Sequence, residues 1–226
     1  MAFDPGSRSL LTRRNLGRFP TESLFDRLAR AVCEAGCLPR KELYESWEVA
    51  RRVRRRVRGR RVVELAAGHG LVAHLLLLLD DSSPSALAVD PKPVPSAARL
   101  GEALVARWPR LSGRVERRTS DLARVPLCAD DLVVSVHACG TLSDTVIARA
   151  VAARARVALL PCCHDARTCD SGGLTGFLPL PLAVDATRVA RLRAAGYDVV
   201  TQTIPEEITP HNRLILGVPR PLRGEP

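Results

Sequence analysis

The chain has 226 residues, a hydrophobic fraction of 46% and an aromatic fraction of 4%, enough for one α/β domain with a short extension. No run of roughly eighteen uncharged apolar residues offers a membrane span. The formal net charge is +10 and is carried almost wholly by arginine, since Lys41 and Lys92 are the only lysines; such a charge attracts polyanions and suits bidentate phosphate contacts, although a base-composition preference of the gene leaves the same bias.

Residues 1–20 are polar, carry Pro5 and Pro20, and are made basic by Arg13, Arg14 and Arg18. They read as a flexible basic arm. The first residues lack the apolar region of a signal peptide, so a cytoplasmic location is expected. The seven cysteines are then expected as thiols or ligands rather than disulfides.

Residues 21–59 read as a helical extension. Thr21 starts a helix that Gly36 closes, with Leu24, Phe25, Leu28 and Val32 at helical spacing. A second helix is expected from Arg40 to Arg58, with Leu43, Trp47, Ala50, Val53 and Val57 on one apolar face. Its end holds eight arginines between Arg51 and Arg61. These are either a solvated face that complements the helix dipole or a phosphate-contacting patch for RNA.

Residues 60–218 alternate strands and helices, and residues 219–226 read as a tail. Arg61 to Leu65 is an apolar strand that enters the turn Ala66-Ala67-Gly68-His69-Gly70, and Leu71–Leu79 follows as a helix. Gly68 and Gly70 allow positive φ and close backbone approach. A strand, a small-residue turn and a helix start make a nucleotide site, because free N–H groups project from the helix. Alanine stands at the third position of the dinucleotide pattern Gly-x-Gly-x-x-Gly, and the carboxylate Glu64 precedes Gly68 by four residues. A nicotinamide oxidoreductase would also need a substrate domain that this length scarcely provides.

The second strand, Ala86 to Asp90, ends in a carboxylate placed for two ribose hydroxyls. A helix over 96–108 and a third strand over 114–119 lead to Asp121. The fourth strand, Asp131 to Val136, ends in His137-Ala138-Cys139-Gly140, and Leu142–Ala152 is helical. The fifth strand, Val157 to Pro161, ends in Cys162-Cys163-His164. Asp165 to Leu182 reads as a loop, Ala186 to Ala195 as a helix, and 197–203 with 213–218 as a terminal antiparallel pair.

His137 or His164 could serve as a base, since imidazole titrates near neutrality. Asp144 either orients one of them or is a carboxylate at a helix N-terminus. Cys139, Cys162, Cys163, Cys169, His137 and His164 either converge on zinc or pack as small side chains; the reading adopted assigns no metal.

The pattern Glu-x-x-x-Gly-x-Gly, Glu64 to Gly70, resembles motif I of the class I S-adenosylmethionine (SAM) methyltransferases. The terminal hairpin after five α/β units resembles their seven-stranded sheet. The resemblance implies a Rossmann-like α/β fold with strand order 3-2-1-4-5-7-6 and an N-terminal helical extension. It implies SAM held by Glu64, Ala66, Gly68, Gly70, Asp90, Asp121 and His137, with Glu64 near the amino-acid end and Asp121 near the adenine amino group. Strands one, four and five are then neighbours, so the turns after strands four and five meet.

Those turns carry a second resemblance. His-x-Cys-Gly-x-x-x-Asp (His137, Cys139, Gly140, Asp144), Cys-Cys-His (Cys162, Cys163, His164) and Thr209-Pro210-His211-Asn212-Arg213 are similar to one methyltransferase domain family. It is shared by a eukaryotic tRNA 2′-O-methyltransferase and the glutathione-S-transferase-C-terminal-domain-containing protein. This implies His137, Cys139, Asp144 and His164 as catalytic residues and RNA, tRNA above all, as acceptor through the Arg51–Arg61 region. A protein or small-molecule acceptor, or a catalytically silent RNA- or protein-binding module, are the alternatives.

Overall fold

In a computed structural model that describes residues 3–221, seven strands form one sheet. They are β1 (Arg61–Leu65), β2 (Ala86–Asp90), β3 (Val115–Thr119), β4 (Asp131–Ser135), β5 (Arg156–Leu159), β6 (Tyr197–Thr203) and β7 (Arg213–Pro219). The order is β3-β2-β1-β4-β5-β7-β6, as expected. The pairings within β1 to β5 are parallel, and β7 runs antiparallel to both β5 and β6. Residues 222–226, most of the expected tail, lie outside the described residues.

Alternation along the strands divides the core in two. Val62, Ala88, Leu132, Val134 and Leu216 face one side of the sheet. There they meet α1 (Leu24–Ala35), α2 (Arg40–Arg54), α3 (Leu71–Leu79) and α4 (Ala97–Arg107). Val63, Leu65, Val89, Val133 and Ile215 face the other side. Their cover is α5 (Leu142–Ala152) and α6 (Leu180–Ala194). Leu71 through Leu78 are all buried, because α3 is sandwiched between the sheet and α2. No helix among the described residues is long and apolar enough to cross a membrane.

The expected flexible arm is instead packed. The N–H groups of Arg40 and Lys41, at the start of α2, donate to the carbonyls of Ser9 and Ser7 at 3.0 and 2.9 Å. α2 has no side-chain N-cap, so backbone carbonyls of the arm satisfy donors that a helix start leaves free. Leu11 and Phe19 are buried, and Phe3, Phe19, Phe25, Tyr44 and Trp47 form a chain of ring contacts.

Three helix boundaries also differ: α1 starts at Leu24 rather than Thr21, because the Ser23 side chain accepts the Asp26 N–H and caps it there. α2 ends at Arg54 rather than Arg58, and it turns Glu45, Ser46 and Val49 inward together with Leu43, Ala50 and Val53. α6 begins at Leu180, inside the expected loop; Pro181 sits in its first turn, where a missing N–H costs nothing.

Candidate functional site

A cavity of about 520 Å³ opens at the carboxyl ends of β1, β2 and β4, and Glu42 and Ser46 of α2 form part of its wall. The helical extension is therefore a structural part of the site. Glu64 lines this cavity from the end of β1 and is almost fully buried. Its Oε2 accepts the Ala73 N–H at 2.8 Å, inside the first turn of α3. Burial pushes its carboxyl up to about 8, against the opposing pull of the Ala73 amide and the Arg117 charge.

Asp90 lines the same cavity from the end of β2. Its Oδ2 accepts the Gly68 N–H at 2.9 Å and its Oδ1 the Lys92 N–H at 3.0 Å. Gly68 has a φ of 51° and open space where a Cβ would stand. Ala66 also lines the cavity and holds a left-handed φ of 55°, a strained conformation for alanine.

Two expected cofactor residues stand apart from the lining. Gly70 is needed for Arg117, whose Nη1 would lie 2.8 Å from an added Cβ, and whose Nη2 donates to the Gly68 carbonyl at 2.8 Å. Asp121 accepts the Ala123 N–H at 2.9 Å and so caps its own turn.

His137 closes the cavity at the end of β4, with a φ of 125° that is strained for a side-chain-bearing residue. Its Nε2 lies 3.3 Å from Oε2 of Glu45, whose side chain is 2% exposed. The other Glu45 oxygen accepts from Lys41 Nζ. Removal from water lowers the His137 pKa, Glu45 and Glu42 pull it upward, and Lys41 lowers it further. The net direction favours the neutral ring, the form that accepts a proton. Lys41 and Glu45 were missed in the sequence. The available signal was a glutamate four residues before Val49 on a helix face that has to be buried.

Asp144 and His164 are not arranged as expected. Asp144 bonds Arg188 through both oxygens, at 3.2 and 3.0 Å, and touches neither histidine. Arg188 is fully buried; it also donates to the Gly140 carbonyl at 2.9 Å and to Asp185 at 3.3 Å. His164, with a side chain 1% exposed, pairs with Asp185 at 2.8 Å, and Asp185 also accepts from Arg213 at 2.7 Å. Together these bonds form a buried charge network between α5, α6 and β7.

The two motif turns do meet. The Gly140 N–H donates to the Cys163 carbonyl at 3.2 Å, and Cys139 Sγ lies 2.8 Å from Cys162 Sγ. Of the six Cys and His candidates for a metal, Cys139, Cys162 and Cys163 come together. His137 and His164 face carboxylates, and Cys169 lies near Arg188.

The Arg51–Arg61 stretch falls at the opposite end of the sheet. β1 starts at Arg61 and runs toward the cavity, while α2 runs away from it. A strand length of roughly 15 Å therefore separates the two. Arg51 and Arg52 pair with Glu48, Arg60 with Asp130, and Arg61 with Asp131. Arg55, Arg56 and Arg58 are exposed without a carboxylate partner among the described residues. On the cavity's side, Arg13, Arg14 and Arg99 line a second cleft beside Gly36, two residues from the cavity-lining Leu38.

A family model described as a methyltransferase domain matches residues 41–168, more than half of the chain, and begins inside α2. Among solved structures, an O-methyltransferase family protein from Burkholderia thailandensis is similar at 18% identity and a TM-score of 0.52. The match covers 94% of this chain and 65% of that one, so this chain spans just under two thirds of its length. The ribosomal protein L11 methylase from Lactobacillus delbrueckii subsp. bulgaricus is similar at 15% identity and 0.52, covering 78% and 77%. The B. subtilis tRNA methyltransferase TrmK is similar at 15% identity and 0.51, covering 75% and 64%. At these identities the likeness is one of fold. No curated protein sequence matches the chain.

Proposed function

The chain belongs to the methyltransferase-domain family that matches residues 41–168, and from that premise we propose that it transfers methyl groups from SAM to RNA, with tRNA the preferred acceptor. SAM use follows from the class I fold. The observation that carries this reading is the acidic lining of the cavity: the carboxylates of Glu42 and Asp90 and the buried carboxyl of Glu64 face one lysine, Lys92, and two histidines, His69 and His137. A sulfonium and an ammonium suit such a lining; the pyrophosphate of a dinucleotide would be repelled.

The residues present fit that cofactor. Among the described residues Arg117 is the cation that acts on Glu64, and burial outweighs it, keeping Glu64 protonated until a cationic ligand arrives. Asp90 keeps lone pairs for ribose hydroxyls beyond its two backbone bonds. Gly68 leaves room for close approach. Bound SAM supplies an electrophilic methyl carbon and leaves as a neutral thioether.

His137 takes the acceptor's proton. Its Nε2 stands 3.3 Å from a carboxylate oxygen of Glu45, and Glu45 stabilises the imidazolium that forms. Lys41 fixes the rotamer of Glu45. Glu42 and Ser46 restrict water on the outer side. Cys139, Asp144 and His164 act on the shape of the two turns and do not transfer the proton.

The net charge of +10, and Arg13, Arg14 and Arg99 on the cavity's side, which have no carboxylate partner among the described residues, support an RNA acceptor. An RNA longer than the sheet is deep would also reach Arg55, Arg56 and Arg58. The reading is tested by transfer of labelled methyl from SAM into a cell extract, followed by separate ribonuclease and protease digestion. Ribonuclease-released label is the expected result. Ribonuclease-resistant, protease-released label moves the acceptor to protein, and label in neither fraction moves it to a small molecule. No incorporation at all, with SAM bound, identifies a silent module.

A further inference from the structure

Neither the cofactor cavity nor the His137–Glu45 pair uses the three thiols at the ends of β4 and β5. Their Sγ atoms all lie within 4.8 Å of one another. They come from two turns, so the proximity is made by the fold rather than by a local sequence spacing. The Gly140–Cys163 backbone bond ties the turns together, and the buried Arg188 holds the Gly140 carbonyl from the other side.

Packing alone does not account for the trio. Cys139 and Cys163 are exposed and Cys162 is half-buried, whereas thiols that serve as small apolar side chains are found inside, as Cys33 is. Two thiolates on a tetrahedral zinc stand about 3.8 Å apart, given zinc–sulfur bonds near 2.3 Å. A disulfide would need about 2.05 Å. Cys139 and Cys162 at 2.8 Å fall between, so small side-chain rotations reach the metal geometry.

The geometry points to a three-thiolate site, formed by Cys139, Cys162 and Cys163, for a soft divalent cation of the zinc class. Its fourth position is open to water or an incoming ligand. The site stands whatever the acceptor of methyl transfer proves to be.

The test uses the full chain, reduced and stripped with a chelator, then titrated with Co²⁺ and afterwards Zn²⁺. The expected result is one equivalent of Co²⁺ bound with thiolate-to-cobalt charge-transfer absorption, bleached by Zn²⁺. Cys139→Ser, Cys162→Ser and Cys163→Ser should each weaken binding at least about tenfold, while Cys128→Ser, at an exposed thiol outside the trio, should not. Should the variants fold poorly, the wild-type protein still answers: Zn²⁺ should protect these three thiols, and not Cys128, from alkylation read by peptide mass. Absence of the charge-transfer band together with unprotected thiols overturns the proposal. So does recovery of a Cys139–Cys162 disulfide after acid quenching of cells.

Discussion

His137 Nε2 lies 3.3 Å from Oε2 of Glu45, and this approach joins the end of β4 to a helix that precedes the whole sheet. A histidine at the end of a central strand thus stands beside a buried glutamate from the N-terminal helices. If His137 is the base proposed above, the α2 wall has a chemical role as well as a packing one.

Glu45→Gln should lower kcat by about 10- to 100-fold with little change in KM for SAM, because it removes stabilisation of the imidazolium and leaves the volume intact. Glu45 raises the His137 pKa, so its loss should move the acid limb of the rate profile to lower pH. An unchanged profile and rate would remove the pair from the mechanism. His137→Asn should cost more, about 10²- to 10⁴-fold.

Glu64 makes stability and cofactor binding depend on pH. Its carboxyl is raised from 4.5 to about 8 in the folded state. Between those values the folded protein holds a proton that the unfolded chain has released. The empty protein should therefore lose stability as pH rises through this window, by up to about 1.4 kcal/mol per unit. A cationic ligand lowers the carboxyl's pKa, so SAM should bind more tightly as pH rises toward 8 and should release a proton on binding. Calorimetry in two buffers of different ionisation enthalpy measures that proton. Glu64→Gln should flatten the pH dependence of stability and weaken SAM binding; proton-neutral binding by the wild type contradicts this account.

Asp144 and Arg188 separate a positioning role from a catalytic one. Arg188→Met should destabilise the protein by about 2–3 kcal/mol, since it removes the two-point partner of Asp144 and one of the Gly140 carbonyl's two donors, while Asp185 keeps His164 and Arg213. Asp144→Asn should cost less, about 1–2 kcal/mol, because one neutral acceptor remains for Arg188. Its kcat should fall only in step with the folded fraction. A hundredfold loss of kcat at unchanged melting temperature would restore Asp144 to the chemistry.

The two arginine groups should differ in what they do to an RNA substrate. Replacing Arg13, Arg14 and Arg99 with glutamine should raise KM for RNA and reduce the salt slope by roughly one per lost phosphate contact. The same replacement at Arg55, Arg56 and Arg58 should have a smaller effect, confined to long RNAs. Equal effects on a short stem-loop would place the substrate across both edges of the sheet.

The centre of the sheet was legible because β1, β2, β4 and β5 are short apolar runs, and because Glu64, Asp90 and His137 fall at or near the ends of those runs. Partners remote in sequence were not legible. Asp144 reads as a neighbour of His137 until Arg188 arrives from α6, and His164 reads as a base until Asp185 is found against it. Apolar spacing put Trp47 on the inward face of α2 and passed over Glu45, because the same helix also buries polar groups toward the cavity. The arm is held by the carbonyls of Ser7 and Ser9, which no side-chain pattern announces.

β7 is the last strand in the chain, yet it lies between β5 and β6. As the chain leaves the ribosome, β6 emerges with no strand beside it, and the free edge of β5 is still exposed. Both edges are open to pairing with other chains until residues 213–219 follow and insert between them. The sheet is completed in one late step, so a ribosome stalled before Arg213 would leave the β5 edge and both sides of β6 unpaired, where the finished sheet exposes only the outer edges of β3 and β6.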